Sequence, residues 1–164
     1  MRVSQVAENL RRRIEARAAV LVPPAPTLQP GDHRHVLTDG LKRAKFPFGL
    51  SEGNEDQILS HLAWSLYIPR AIPREQRRVS SDGRDKGEVE LLLLYEIRAG
   101  SQESDCDAAI DLLYAMNQVL YDDAGDPDVC VDAILQHHEV VQVPAERLFI
   151  ALRSRLTVLF NSES

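Results

Sequence analysis

Five histidines, two cysteines and a run of aspartates are the residues of this chain that could bind a metal or attack a substrate, and their spacing favours neither use. His33 and His35 form an H-x-H pair, and His137 and His138 sit side by side near acids. A zinc or iron site needs three or four ligands converging from fixed elements. The H-x-H pair lies instead in an irregular stretch, and adjacent histidines on a strand point to opposite faces. The run Asp122 to Asp128 has the composition of a calcium loop without its alternating ligands or its distal glutamate. Cys106 and Cys130 belong to no C-x-x-C pattern and follow no secretion signal, so both are expected to be reduced, buried thiols. The phosphate-binding patterns G-x-G-x-x-G and G-x-x-x-x-G-K-S/T and the nucleophile pattern G-x-S-x-G are absent. The expectation is a protein with no cofactor, no metal and no catalytic constellation.

The arginines are more informative. Arg11, Arg12 and Arg13 are consecutive, and the segment Arg70 to Gly87 holds Arg74, Arg77, Arg78 and Arg84. Such clusters could neutralise phosphate, but no aromatic residues interleave them for base stacking, and the net charge of −6 opposes generic nucleic-acid binding. Contact with an acidic protein surface fits better. The chain supplies one itself: residues 99–146 contain 11 of its 25 acids and no Lys or Arg, while the remainder holds all 19 basic residues. Asp122, Asp123 and Asp126 lie in that acidic section. Two readings stay open, because the acidic section could fold against the basic one or be solvated, or copies could meet head to tail, acidic flank against basic flank. The same choice applies to Arg147, Arg153 and Arg155, which alternate with Leu148, Leu152 and Leu156 and form either a solvated face or a subunit contact with a neighbour's carboxylates.

Several elements must position these groups. The 164 residues suit one domain able to bury roughly 70% of its unfolded surface, and the opening residues are amphipathic and charged, so the chain reads as soluble and intracellular when made. Val3, Val6, Leu10, Ile14, Ala18 and Leu21 recur at helical steps, and Pro23-Pro24 ends that helix. Residues 22–58 read as a long loop with one short helical turn near Leu37 to Lys45. Leu62 to Ile68 alternates as a strand closed by Pro69. Residues 70–87 read as a basic hairpin arm, and Val89 to Ile97 as a central strand covered on both faces, because Leu92 and Leu94 are apolar on its second face. Ser104 or Asp105 is expected to cap a helix to about Tyr121, with Cys106, Ala109, Ile110, Leu113, Asn117 and Leu120 inward. Val129 to Val143 is a third strand, and Arg147 to Phe160 is a fourth of unusual length. The order α-β-β-α-β-β predicts an α+β two-layer sandwich: a mainly antiparallel four-stranded sheet, both helices on one face, the other face left for a partner.

In this order of elements the chain resembles the tail terminator (minor tail protein U-like) family of long-tailed bacteriophages. The resemblance is carried by the opening helix, the long loop, the strand Val89-Glu90-Leu91-Leu92-Leu93-Leu94-Tyr95, the helix Asp107 to Leu120 and the closing strand Arg147 to Val158. It implies a structural virion protein, built in the host cytoplasm, whose hexameric ring caps the tail tube, ends tube polymerisation and offers the head-joining surface. The implied partners are other copies of the chain, the tube protein, a connector or stopper protein and DNA passing through the lumen, with no membrane and no cofactor. Another neck or head-completion protein, or an adaptor that binds partners at a sheet edge, are the alternatives.

Overall fold

A computed structural model describes residues 2–21, 42–43, 62–69, 83–97, 103–122, 128–143 and 147–161. Most of the expected loop 22–58, the arm residues 70–82 and the acidic turn 123–127 lie outside the described residues, and with them His33, His35, Arg74, Arg77, Arg78, Asp123 and Asp126.

Helix α1 spans Val3–Leu21 and helix α2 Glu103–Asp122. The strands are β1 (Lys42–Arg43), β2 (Leu62–Tyr67), β3 (Asp85–Ile97), β4 (Val129–Val143) and β5 (Arg147–Phe160). They form one sheet in the order β1-β2-β3-β5-β4. Its four longer strands run antiparallel, β2 with β3, β3 with β5 and β5 with β4, so the expected α-β-β-α-β-β sandwich is the fold. Period-two patterning is the reason the long strands form where they do. Along β5, Leu152, Leu156, Val158 and Phe160 enter the core while Arg153 and Arg155 project from the other face.

Both helices cover the same face. Val6, Leu10 and Ile14 of α1 and Ala109, Leu112, Leu113, Met116 and Leu120 of α2 pack on Trp64, Leu66, Val89, Leu91, Leu93, Tyr95, Leu152, Leu156, Val158 and Phe160. The buried stripe of α2 is broader than the expected one. Leu112 and Met116 join it, because α2 packs against α1 as well as against the sheet, whereas Cys106 is only half-buried. A buried polar pair ties α2 to β5, Asn117 Nδ2 donating to Ser154 Oγ at 2.7 Å.

Four local expectations change. The helical turn near Leu37 to Lys45 is replaced at Lys42–Arg43 by β1, which pairs in parallel with Ala63 and Trp64 and is held to α1 by Arg43–Glu15 at 2.8 Å. The arm 70–87 ends early, since Asp85–Gly87 already belong to β3. Fourteen-residue β5 offers them partners in Phe160, Leu159 and Val158, and that pairing outweighs the poor strand propensity of glycine. Gly87 sits close under the Phe160 ring, where an added Cβ would meet a ring carbon at 3.2 Å and the ring would have to shift by a few tenths of an ångström. Gly83, at φ +85°, supplies the left-handed residue just before β3. Helix α2 begins at Glu103, so Ser104 and Asp105 stand within its first turn and not ahead of it as expected. The second sheet face, expected to be open for a partner, is buried at its middle, where Leu92, Leu94, Phe149 and Ala151 form a smaller apolar cluster beside Tyr67. The expectation of a central strand covered on both faces therefore describes β3 correctly.

Arg13 joins three elements. Its buried guanidinium donates to the Leu120 carbonyl at 3.3 Å, near the end of α2, and to the Val129 carbonyl at 3.1 Å, at the start of β4. Replacing it strands two acceptors and leaves a void. Arg13→Ala is expected to lower unfolding stability by about 2–4 kcal/mol, read by urea denaturation. An effect under about 0.5 kcal/mol would show that Arg13 is an ordinary surface residue.

Candidate intersubunit surface

Two features gather charge. One is a cluster on the sheet face away from the helices; the other is the contrast between the two borders of the sandwich.

The cluster centres on Glu90, which the register places between Tyr67 of β2 and Arg155 of β5. Its side chain is only 5% exposed, so a lone carboxylate there would carry a large desolvation cost. Tyr67 donates its hydroxyl to Glu90 Oε1. Arg153 Nε lies 3.6 Å from Oε1 and Arg155 3.8 Å from Oε2. Arg153 also reaches Glu139 of β4 at 2.9 Å. Burial, the bond to Glu90 and the negative charge of Glu90, in that order, push the Tyr67 phenol above its usual range. A phenol held protonated by the fold stabilises it fully below the unfolded value of 10.0, and the contribution is lost as pH rises beyond that value. The stability of the wild type is therefore expected to fall with pH above about 10 more steeply than that of Tyr67→Phe, by one proton. Denaturant titrations at a series of alkaline pH values read the difference; parallel curves would contradict it.

The borders differ in composition. At one lie α2 and β4. Asp107, Asp111, Tyr114, Gln118 and Tyr121 share the exposed side of α2, pointing away from both the sheet and α1. Four of the exposed large apolar side chains belong to this border: Tyr114 (61% exposed), Tyr121 (56%), Leu135 (64%) and Val140 (66%). No Lys or Arg occurs in either element. At the opposite border α1 stands beside β1 and β2, joined by Arg43 to Glu15 and Glu8 and by Arg11 Nε donating to the Leu66 carbonyl at 2.8 Å. Arg12 and Arg17 remain exposed there, and β1 is Lys42-Arg43.

The candidate residues chosen from sequence are thus dispersed. Arg12 projects outward, 78% exposed and 3.8 Å from Glu8, whereas Arg11 is turned into the fold. Arg84 donates to Cys130 Sγ at 3.0 Å. Arg153 and Arg155 share the Glu90 cluster. Arg147 opens β5 and Asp122 closes α2. Some charge of the acidic section is met inside the chain, by Arg153–Glu139 and by Lys86–Asp132 at 3.8 Å. Glu90 and Tyr67 were not singled out from sequence, although an acid inside the apolar run Val89 to Ile97 signals a buried charge that needs partners.

His137 faces Arg153 and His138 faces Leu152, on opposite sides of β4. Among the described residues no three His, Cys, Asp or Glu side chains gather in a way that could hold a metal ion. Burial and the neighbouring Asp107 push the Cys106 thiol up, away from the reactive thiolate. Among the described residues no helix is long and apolar enough to cross a membrane. No protein-family model matches this sequence, and no curated protein matches it.

Proposed function

We propose that this chain is a structural protein that assembles head to tail into a closed ring, the acidic and apolar border of one copy meeting the basic border of the next. One observation carries the reading. Among the described residues the two borders differ in charge, α2 and β4 at one holding acids and no Lys or Arg, and α1 and β1 at the other holding more basic than acidic residues. A ring needs heterologous contacts between two different flanks of one subunit. Exposed tyrosine, leucine and valine on the acidic border supply area that charge alone lacks, since surface ion pairs contribute only about 0–1 kcal/mol each while complementary potentials orient the encounter.

Together with the resemblance to phage tail terminators, this supports a hexameric ring at the head-proximal end of a tail tube. In that place it would end tube polymerisation and present the head-joining surface, in contact with tube protein, a connector or stopper protein and DNA in the lumen. Chemistry and cofactors have no part in this role. A neck or head-completion protein would use the same borders and differ only in its position in the particle.

Reversing each border separately tests the reading. Asp107→Lys with Asp111→Lys reverses the exposed acidic pair on α2, and Arg12→Glu with Arg17→Glu reverses the exposed basic pair on α1. Light scattering is expected to report an oligomer for the wild type that weakens as salt rises toward 1 M, where the screening length is only about 3 Å. Each double variant alone is expected to be monomeric, a sixfold loss of mass for a hexamer, and an equimolar mixture to recover the oligomer. A wild type that stays monomeric at all concentrations, with and without tube protein, would contradict the proposal.

A further inference from the structure

We propose that the outer edge of β4, over Ile134–Val143, is a strand-acceptor site for a second copy of this chain, which adds its β1 border there so that one sheet continues from subunit to subunit. The inference rests on the head-to-tail reading above and specifies its backbone contact.

Strand β4 is the longest in the sheet at 15 residues, and it lies at the sheet's border with no described strand on its outer side. Proteins usually blunt such an edge with brevity, lysine, proline or a bulge, because its unpaired N–H and C=O groups template pairing with another chain. Here Val129–Val143 contains neither lysine nor proline. Among the described residues the edge carries a register shift between Val131 and Ala133, which leaves Asp132 as the extra residue near the beginning of the strand, and the exposed charge of Glu139. From Ile134 onward the pairing with β5 is regular.

This part of the edge also stands clear of the helix layer. His138 and Val140 lie on the same face as the helices, opposite Leu152 and Ile150, yet both are exposed. Leu135 is exposed on the other face, opposite Arg155. An added strand would therefore find an apolar side chain on each side of the sheet, as strand addition requires for affinity beyond its main-chain bonds.

Direction and charge identify the occupant. β1 is parallel to β2, and three antiparallel steps follow to β4, so β1 and β4 run in opposite senses. A copy displaced along the sheet without inversion sets its β1 antiparallel to β4 and keeps its helices on the same face. α1 of the incoming copy then stands beside α2, which brings the exposed Arg12 and Arg17 of one copy toward the exposed Asp107 and Asp111 of the other, next to a strand without Lys or Arg. A two-fold dimer through β4 would instead set this acidic strand against itself.

Hydrogen exchange on the full-length chain, below and above the concentration at which light scattering reports assembly, tests the site. Amides within Ile134–Val143 are expected to slow on the order of tenfold or more on assembly, with β3 unchanged. Leu135→Lys with Val140→Lys is expected to abolish assembly without lowering the melting temperature, since both side chains are exposed in the single chain. Assembly with unchanged exchange in β4, or full assembly of the double-lysine variant, overturns strand addition while leaving the head-to-tail ring standing. No assembly at any concentration overturns both. Protection of β4 only when an unrelated peptide is added assigns the edge to a foreign strand and also overturns the proposal.

Discussion

The antiparallel register between β3 and β5 is the constraint on which the rest of the structure depends. It runs from Asp85 opposite Phe160 to Ile97 opposite Leu148, and it sets two strands that are buried over most of their length at the centre of the sheet. Side chains alternate with a period of two, so a slip of one residue would carry Glu88, Glu90 and Glu96 under the helices and expel Leu91, Leu93 and Tyr95. The register therefore fixes the hydrophobic core. It also fixes the chain's remaining geometry: with β3 and β5 central, β2 and β1 must form one border and β4 the other. Because each helix packs near strands adjacent to it in sequence, α2 and the acidic strand β4 end on one side and α1 with β1 on the other, while Arg84, Lys86 and Arg153 lie between them and reach β4.

Most of this was legible in the sequence where periodicity persists. The limits Val3–Leu21, Val129–Val143 and Arg147–Phe160 follow from long stretches with one dominant period and clear punctuation such as Pro23-Pro24. Where a distant partner decides, local reading falls short. Two residues are too few to show a period, so β1 is invisible without β2 beside it. Gly87 reads as a turn residue until Phe160 and Val158 are placed against it. Ser104 and Asp105 have the chemistry of helix caps, but α2 starts one residue earlier.

The candidate surface was legible only in part, for a related reason. Charge totals revealed that the chain is divided, but not which charges are already met. Arg11 and Arg153 read as available arginines, yet one donates to a backbone carbonyl of β2 and the other is ion-paired with Glu139 and Glu90. The Glu90 cluster was hidden because an apolar run looks like a buried strand whether or not it contains acids, and Val89 to Ile97 is one; Glu90 is accommodated by Tyr67, Arg153 and Arg155 from the strands on either side. Part of the acidic section is neutralised inside the chain and part is left at its surface. Glu139 and Asp132 find cations within the chain, whereas Asp107 and Asp111 face outward beside exposed tyrosines.

Cryo-electron microscopy of the concentrated, full-length protein tests the head-to-tail arrangement most directly. Closed rings are expected in which α2 and β4 of every copy abut α1 and β1 of the next, with all helix layers on one side. Two-fold particles that join like borders, or a field of single subunits, would contradict it.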